Sequence, residues 1–168
     1  KPLIVVYIEG RPLEKNWASE YADALLTAYY PGQEGGNAIA DVLFGDYNPS
    51  GRLPISVPRS VGQIPVYYNQ KAPRNHDYVE VSSSPLYSFG YGMSYTTFEY
   101  SDLQVVQKSA RCFEVSFKVK NTGKYDGEEV SQLYMRDEYA SVVQPMKQLK
   151  HFERFHLEKG EEKKLLLF

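Results

Sequence analysis

With 168 residues and a formal net charge of −2, the chain is long enough for one domain or two small ones, and it lacks the strongly basic balance of a nucleic-acid-binding surface. Its single cysteine, Cys112, excludes an internal disulfide and a cysteine-rich zinc site. The 15 tyrosines suit sugar contacts, because a phenol joins a flat apolar face to a polar tip, but the same property suits β-sandwich surfaces and interfaces. No run is long and apolar enough for a membrane-spanning helix, and no signal peptide opens the chain. Apolar runs stand at both ends, over residues 3–8 and 165–168, which predicts a piece of a larger protein.

In chain order, residues 3–8 are rich in β-branched side chains and predict a parallel strand buried on both faces. Glu9-Gly10-Arg11-Pro12 breaks this regularity. Residues 16–23 read as a short helix with Asn16 as N-cap and Glu20 in the first turn. Residues 24–30 suit a short buried strand, ended by Pro31-Gly32 because proline cannot donate to a ladder. Gly35 and Gly36 turn the chain into a helix. Its Ile39, Val42 and Leu43 recur at i, i+3 and i+4 with Phe44 beside them, and Gly45 is expected to cap it. The order is β-α-β-α, too short to close its own sheet. In open α/β sheets such a Gly-rich turn often borders a ligand site. A phosphate cradle is disfavoured: no Lys follows as GxxxxGK[ST] requires, GxGxxG is absent, and Glu34 would repel an anion.

Pro54, Pro58 and Pro65 argue against a long helix, and residues 61–84 show no periodicity, a length that usually serves function or domain connection. This stretch holds Tyr67, Tyr68 and the most polar cluster of the chain, Asn75-His76-Asp77-Tyr78. One reading places the cluster at the edge of a sugar site, with Asn75, His76 and Tyr78 as substrate-binding residues; the other is a solvated loop. A metal site fails for want of a second nearby histidine. The aromatic, glycine-bearing residues 85–98 are expected to plug an interdomain seam. Beyond Tyr100, Phe113, Val115, Phe117 and Val119 alternate with Glu114, Ser116, Lys118 and Lys120, the pattern of a strand with one buried and one wet face. Cys112 joins this strand pattern, which predicts a structural thiol. Asn121-Thr122-Gly123 is a turn. Val130, Leu133 and Tyr134, then residues 149–157 and 165–168, mark further strands, with Glu158-Lys159-Gly160-Glu161 turning between the last two. Antiparallel strands at such intervals predict an immunoglobulin-like sandwich, here with about five strands where seven are needed.

The contiguous stretch Tyr30-Pro31-Gly32-Gln33-Glu34-Gly35-Gly36-Asn37-Ala38-Ile39-Ala40-Asp41-Val42-Leu43-Phe44-Gly45-Asp46-Tyr47-Asn48-Pro49-Ser50-Gly51-Arg52-Leu53-Pro54 closely resembles the hallmark of glycoside hydrolase family 3, which holds β-glucosidases, β-xylosidases and related exo-acting enzymes. Gly10-Arg11-Pro12-Leu13 with Trp17, Gln63-Ile64-Pro65-Val66-Tyr67-Tyr68-Asn69 and residues 85–98 resemble it in the same order. Residues 119–123, 127–134 and 150–155 resemble the fibronectin type III-like domain that ends many of its members. The resemblance implies an α/β fragment, the end of an α/β sandwich layer, over residues 1–62. A linker and interdomain segment would follow over 63–98, then a truncated all-β immunoglobulin/fibronectin type III-like sandwich over 99–168. It also implies part of a retaining exo-acting β-glycosidase, β-glucosidase-like, that removes terminal β-linked sugars from oligosaccharides or glycosides without a cofactor, in a periplasmic or extracellular setting. In the family the nucleophile is an aspartate of an N-terminal barrel. The acid/base glutamate sits in a loop before the strand matched by residues 3–8. Both would precede Lys1, so this chain is expected to lack the catalytic pair. Its expected partners are the missing N-terminal barrel domain and a second copy in a homodimer.

The acids of the chain agree with that expectation, since retaining hydrolysis needs two carboxyl groups about 5 Å apart. Glu128-Glu129 at a strand entry and Glu161-Glu162 in a turn read as solvated, and Asp41 and Asp46 as caps or surface. Glu34 is the one acid expected near a cleft, holding backbone amides at the helix start. Trp17 either stacks on a sugar or packs the domain, the commoner role of a large aromatic. Two other classes stay open. One is a carbohydrate-binding or protein-interaction module without catalysis, using the sandwich and the tyrosine-rich linker. The other is an independent α/β enzyme with a site around Glu34 and His76.

Overall fold

The computed structural model describes residues 1–71, 77, 79 and 81–167. They belong to two compact units: Lys1–Asp46, Arg52–Tyr91 and Met135–Gln148 form the first, and Tyr47–Gly51, Gly92–Tyr134 and Leu149–Phe168 the second.

The first unit opens with β1 (Ile4–Tyr7), α1 (Asn16–Tyr21), β2 (Ala24–Thr27) and α2 (Gly35–Phe44). β1 and β2 pair in parallel, Ile4 opposite Ala24 through Tyr7 opposite Thr27, as a helix-bridged pair of apolar runs should. β1 is not buried on both faces: among the described residues its sheet has two strands, and Ile4 is 46 % exposed. β2 stops at Thr27, short of the expected residue 30. Tyr29 takes a left-handed φ of 51°, which an extended ladder cannot absorb. α1 is entered at Lys15 rather than Asn16 and has no side-chain cap; Asn16 lies inside the first turn, its amide donating to Glu14 at 3.2 Å. α2 follows its periodicity, with Ile39, Val42 and Leu43 half-buried while Phe44 is 84 % exposed. Gly45 caps it at φ 87°, donating its N–H to the carbonyls of Asp41 and Val42.

The other described residues of this unit are irregular but bonded. Leu53 and Gly90–Tyr91 exchange backbone hydrogen bonds, Leu53 N to Tyr91 O at 2.8 Å and Gly90 N to Leu53 O at 2.7 Å. Val57 forms an antiparallel bridge with Tyr87. The aromatic segment expected at an interdomain seam stacks its rings inside the unit, Phe89 on Tyr68 at 4.1 Å and Tyr87 on Tyr91 at 5.3 Å between centroids.

The second unit carries β3 (Phe98–Ser109), β4 (Cys112–Asn121), β5 (Gly127–Met135), β6 (Gln148–Leu157) and β7 (Glu162–Leu167). β4 lies between β3 and β7, antiparallel to both, and β5 pairs with β6. The alternation along β4 sends Val115, Phe117 and Val119 into a core with Phe155 and Leu157 of β6 and Leu165 and Leu167 of β7. The intervening Lys118 pairs across the wet face with Asp102 at 2.9 Å and Glu162 at 3.4 Å. The architecture is an α/β piece followed by a truncated all-β sandwich.

The turn after β4 is built around one side chain. Asn121 is fully buried; its Oδ1 accepts from Thr96 Oγ1 at 2.7 Å and Gly123 N at 3.1 Å, and its amide donates to the carbonyls of Tyr125 and Leu157. A β-carbon on Gly123 would lie 2.1 Å from Thr96 Oγ1 and 2.5 Å from Thr97 N, so the close approach requires glycine. Three sequence expectations need correction here. Glu129 is buried, because the phenol of Tyr100 donates to it at 3.0 Å. Glu162 starts β7 instead of lying in the turn. Cys112 opens β4 and is exposed, because the strand's core-facing positions begin further along, at Val115.

Candidate functional site

Gln63 organises the polar centre of the first unit. Its side chain is buried, its Oε1 accepts from Arg59 N at 2.7 Å, and its Nε2 donates to the carbonyls of Ser82 and Ser84 at 3.0 and 2.9 Å. Arg59 Nε adds a bond to Ser84 O at 3.0 Å. A chain segment without helix or strand is held in place by these bonds, since a buried amide left unpaired would cost about 1–3 kcal/mol. On the other side, Lys71 bridges Pro145 in antiparallel fashion and Met146 N donates to Gln70 O at 2.8 Å. That brings a segment some seventy-five positions further along the chain beside Tyr67 and Tyr68.

Together these contacts leave a cleft of about 330 Å³ lined by Tyr67, Tyr68, Lys71, Ser83, Ser88 and Lys147, among others. The volume falls at the lower end of the range for ligand pockets. Tyr68 is fixed by its stack on Phe89, whereas Tyr67 is 64 % exposed and presents an open ring. Beside the cleft, Asp77 is exposed and its Oδ1 accepts from Ser83 N at 2.8 Å, Ser83 Oγ at 3.1 Å and Ser82 Oγ at 3.3 Å. Those donors, the backbone N–H of Ser83 first, hold its carboxyl below the usual carboxylate range.

The sequence-predicted substrate residues Asn75, His76 and Tyr78 lie outside the described residues. Glu34 is not at this cleft. It precedes α2 without capping its backbone amides, and its carboxylate accepts instead from Asn37 Nδ2 at 2.6 Å. Gly35 behind it is buried against Pro31, whose Cγ would stand 2.5 Å from an added β-carbon, so the Gly-rich turn is a packing device. Trp17 is 61 % exposed beside Tyr21, at 5.8 Å between centroids, and so does not serve the core of its own unit.

Two further groupings were not legible in the sequence. Glu9 and Lys15 form an ion pair buried in the first unit, with the Lys15 ammonium 4.6 Å from the centre of the Tyr7 ring. Among the described residues Glu9 Oε2 and the Tyr29 hydroxyl have no hydrogen-bond partner, and burial, then the Glu9 charge, pushes the Tyr29 phenol up. In the second unit, Glu128 accepts from Arg154, from Tyr47 OH at 2.8 Å and from Ser50 Oγ at 3.3 Å. The Arg154 guanidinium first, then the Tyr47 hydroxyl, hold its carboxyl below the ordinary range. Glu9 and Lys15 stand six positions apart and Glu128 and Arg154 twenty-six, and neither pair lies within a single helix or strand.

Residues 1–95 match the model of the glycosyl hydrolase family 3 C-terminal domain, and residues 129–167 match that of the fibronectin type III-like domain. The chain belongs to glycosyl hydrolase family 3. Among its relatives, a periplasmic β-glucosidase of Salmonella typhimurium is 49 % identical, the match covering 97 % of this chain and 23 % of that protein. A β-xylosidase of Formosa agariphila is 44 % identical, covering 97 % of this chain and 24 % of the relative. The solved structure of a Listeria innocua β-glucosidase superposes with a TM-score of 0.93 at 39 % identity, over 99 % of this chain and 25 % of that one. The chain spans about a quarter of the length of the relatives it matches.

Proposed function

We propose that this chain is the C-terminal part of a retaining, exo-acting β-glycosidase, β-glucosidase-like, that hydrolyses terminal β-linked sugars from oligosaccharides or glycosides. The observation that carries the reading is the family match over residues 1–95, reinforced by relatives named β-glucosidase and β-xylosidase. Retaining hydrolysis needs a nucleophilic carboxylate and an acid/base carboxyl about 5–5.5 Å apart. No carboxylate lines the cleft among the described residues, which supports a catalytic pair supplied by an N-terminal barrel domain. The domains of this proposal are residues 1–62 for the end of the α/β sandwich, 63–98 for the connecting segment and 99–168 for the fibronectin type III-like sandwich.

In the same proposal Asn75, His76 and Tyr78 contact the sugar that leaves. Ile4, Ile8, Trp17, Tyr21 and Phe44, all exposed in the first unit, are covered by the barrel or by a second copy of the protein. The compartment is periplasmic or extracellular, in keeping with the Salmonella relative.

The test compares p-nitrophenyl β-glucoside and β-xyloside hydrolysis by the full-length protein and by this 168-residue chain. Turnover by the first and none by the second is the expected result. Turnover by the chain alone, abolished in Glu34→Ala, would instead establish an independent α/β enzyme. The binding-module reading is favoured by the exposed ring of Tyr67 in the cleft, and it would be established by glucan binding in a full-length protein that turns over neither substrate.

A further inference from the structure

We infer that Tyr47–Gly51 is a strap clasped by the sandwich, a device that fixes the start of the chain run bringing Ser56 and Ser88 to the cleft. The fibronectin type III-like unit then has a positioning role beyond its own fold. The strap lies within the contiguous stretch from Tyr30 to Pro54, yet it belongs to the second unit. Two side chains clasp it there. Asn48 is the first: its Oδ1 accepts from Ser94 Oγ and from Tyr95 N, both at 2.8 Å, and its Nδ2 donates to Asp126 O at 2.9 Å. A β-carbon on Gly127 would stand 2.6 Å from Asn48 Nδ2, so this approach of the strap to the start of β5 requires glycine. Glu128 is the second. Its Oε2 accepts from Tyr47 OH at 2.8 Å, from the buried Ser50 Oγ at 3.3 Å and from Arg154, which also donates to Tyr47 OH at 2.6 Å. Bonds to an ionised acceptor are the stronger kind, roughly twice a neutral one.

The backbone leaves the strap at both ends into the first unit. Upstream, Asp46 follows Gly45, the cap of α2. Downstream, Leu53 N donates to Tyr91 O at 2.8 Å and Leu53 O accepts from Gly90 N at 2.7 Å. The run continues with Ser56 Oγ, which accepts from Phe89 N at 3.3 Å, and with the Val57–Tyr87 bridge. Ser56 and Ser88 line the cleft, and Phe89 carries the stack on Tyr68. Residues 45–56 contain no helix or strand, so no regular ladder sets where this pairing begins. An irregular segment holds one conformation only where bonds outside it do so, and the clasp supplies them just ahead of Leu53. The dependence runs one way. No strap residue belongs to the sandwich core of Val115, Phe117, Val119, Phe155, Leu157, Leu165 and Leu167, so that core does not need the strap.

The test is hydrogen exchange of the full-length protein, read by mass spectrometry on peptides spanning residues 43–46, 52–57 and 86–91. Asn48→Ala removes three hydrogen bonds and should speed exchange in these peptides by about ten- to hundredfold. Tyr47→Phe keeps the ring and loses only the hydroxyl, and should speed the same peptides by about three- to tenfold. Peptides of β1, β2, β4 and β7 should keep their rates in both variants. Unchanged rates in residues 52–57 and 86–91 of Asn48→Ala, with faster exchange at Tyr95, would make the strap a part of the sandwich alone and overturn the inference. Faster exchange in β4 and β7 as well would overturn it too, since it would mark a general loss of stability. Should Asn48→Ala fail to fold, Tyr47→Phe decides: unchanged rates in residues 52–57 and 86–91 refute the positioning role. The readout uses no substrate, so its failure is separate from any failure of the glycosidase reading.

Discussion

In the sandwich unit, β4, β6 and β7 close seven apolar side chains into a core from which water is excluded. In the α/β unit the only buried apolar residues among those described are Ala18 and Val57, while Ile8, Trp17, Tyr21, Tyr30 and Phe44 stand in solvent. The α/β unit also buries an ion pair, Glu9–Lys15. The contrast teaches where each unit gets its stability. Burial of a Val, Leu or Phe side chain contributes about 1.5–3 kcal/mol, and the sandwich collects this within its own sequence. A buried ion pair roughly breaks even, so the α/β unit draws less stability from its own buried apolar surface, and the proposed covering surface would supply the rest.

The largest expected effect tests the charge in the α/β unit. Lys15→Met leaves the Glu9 carboxylate buried without its cation and should destabilise that unit by about 3–5 kcal/mol. Hydrogen exchange should show faster amides in residues 1–45 and unchanged ones in β4 and β7. Loss of protection in both units alike would break the comparison.

Leu157→Ala removes a fully buried side chain of the sandwich core and should cost about 2–5 kcal/mol in urea denaturation. The matching change in the other unit, Phe44→Ala, should fall within about 0.5 kcal/mol in this chain, because the ring is exposed. In the full-length protein the same substitution should cost clearly more if a further domain covers the ring. An equal, negligible cost in both would remove the argument for a cover.

The smallest effect concerns pH. Glu128 has its carboxyl pKa lowered from 4.5, by Arg154 first, so the folded state releases that proton more readily than the unfolded chain. The stabilisation is therefore complete above the unfolded value and is lost as pH falls through the lowered folded value. Because both side chains are partly exposed, its size is about 0.2–1 kcal/mol. Arg154→Gln should lower stability by that amount at neutral pH and converge with the unmodified chain in strong acid. A gap that persists in acid would mean that Arg154 acts through packing alone.

The sequence by itself determined what is local. Apolar periodicity placed α2, Gly45 marked its end, alternation placed β4, and the contiguous stretch from Tyr30 to Pro54 placed the chain in its family, because each signal is carried by neighbouring residues. Tertiary structure alone decided the rest. β3 was not legible because nearly all of its side chains are exposed and a register shift between Ser101 and Gln104 interrupts its pairing. Tyr29 cut β2 short through one backbone angle. The Glu9–Lys15 pair, the burial of Glu129 against Tyr100 and the meeting of Tyr67, Lys71 and Lys147 in one cleft join positions that share no single helix or strand. Charges and rings at such distances are brought together by the path of the backbone through irregular segments, and that path is set by long-range bonds such as those of Gln63.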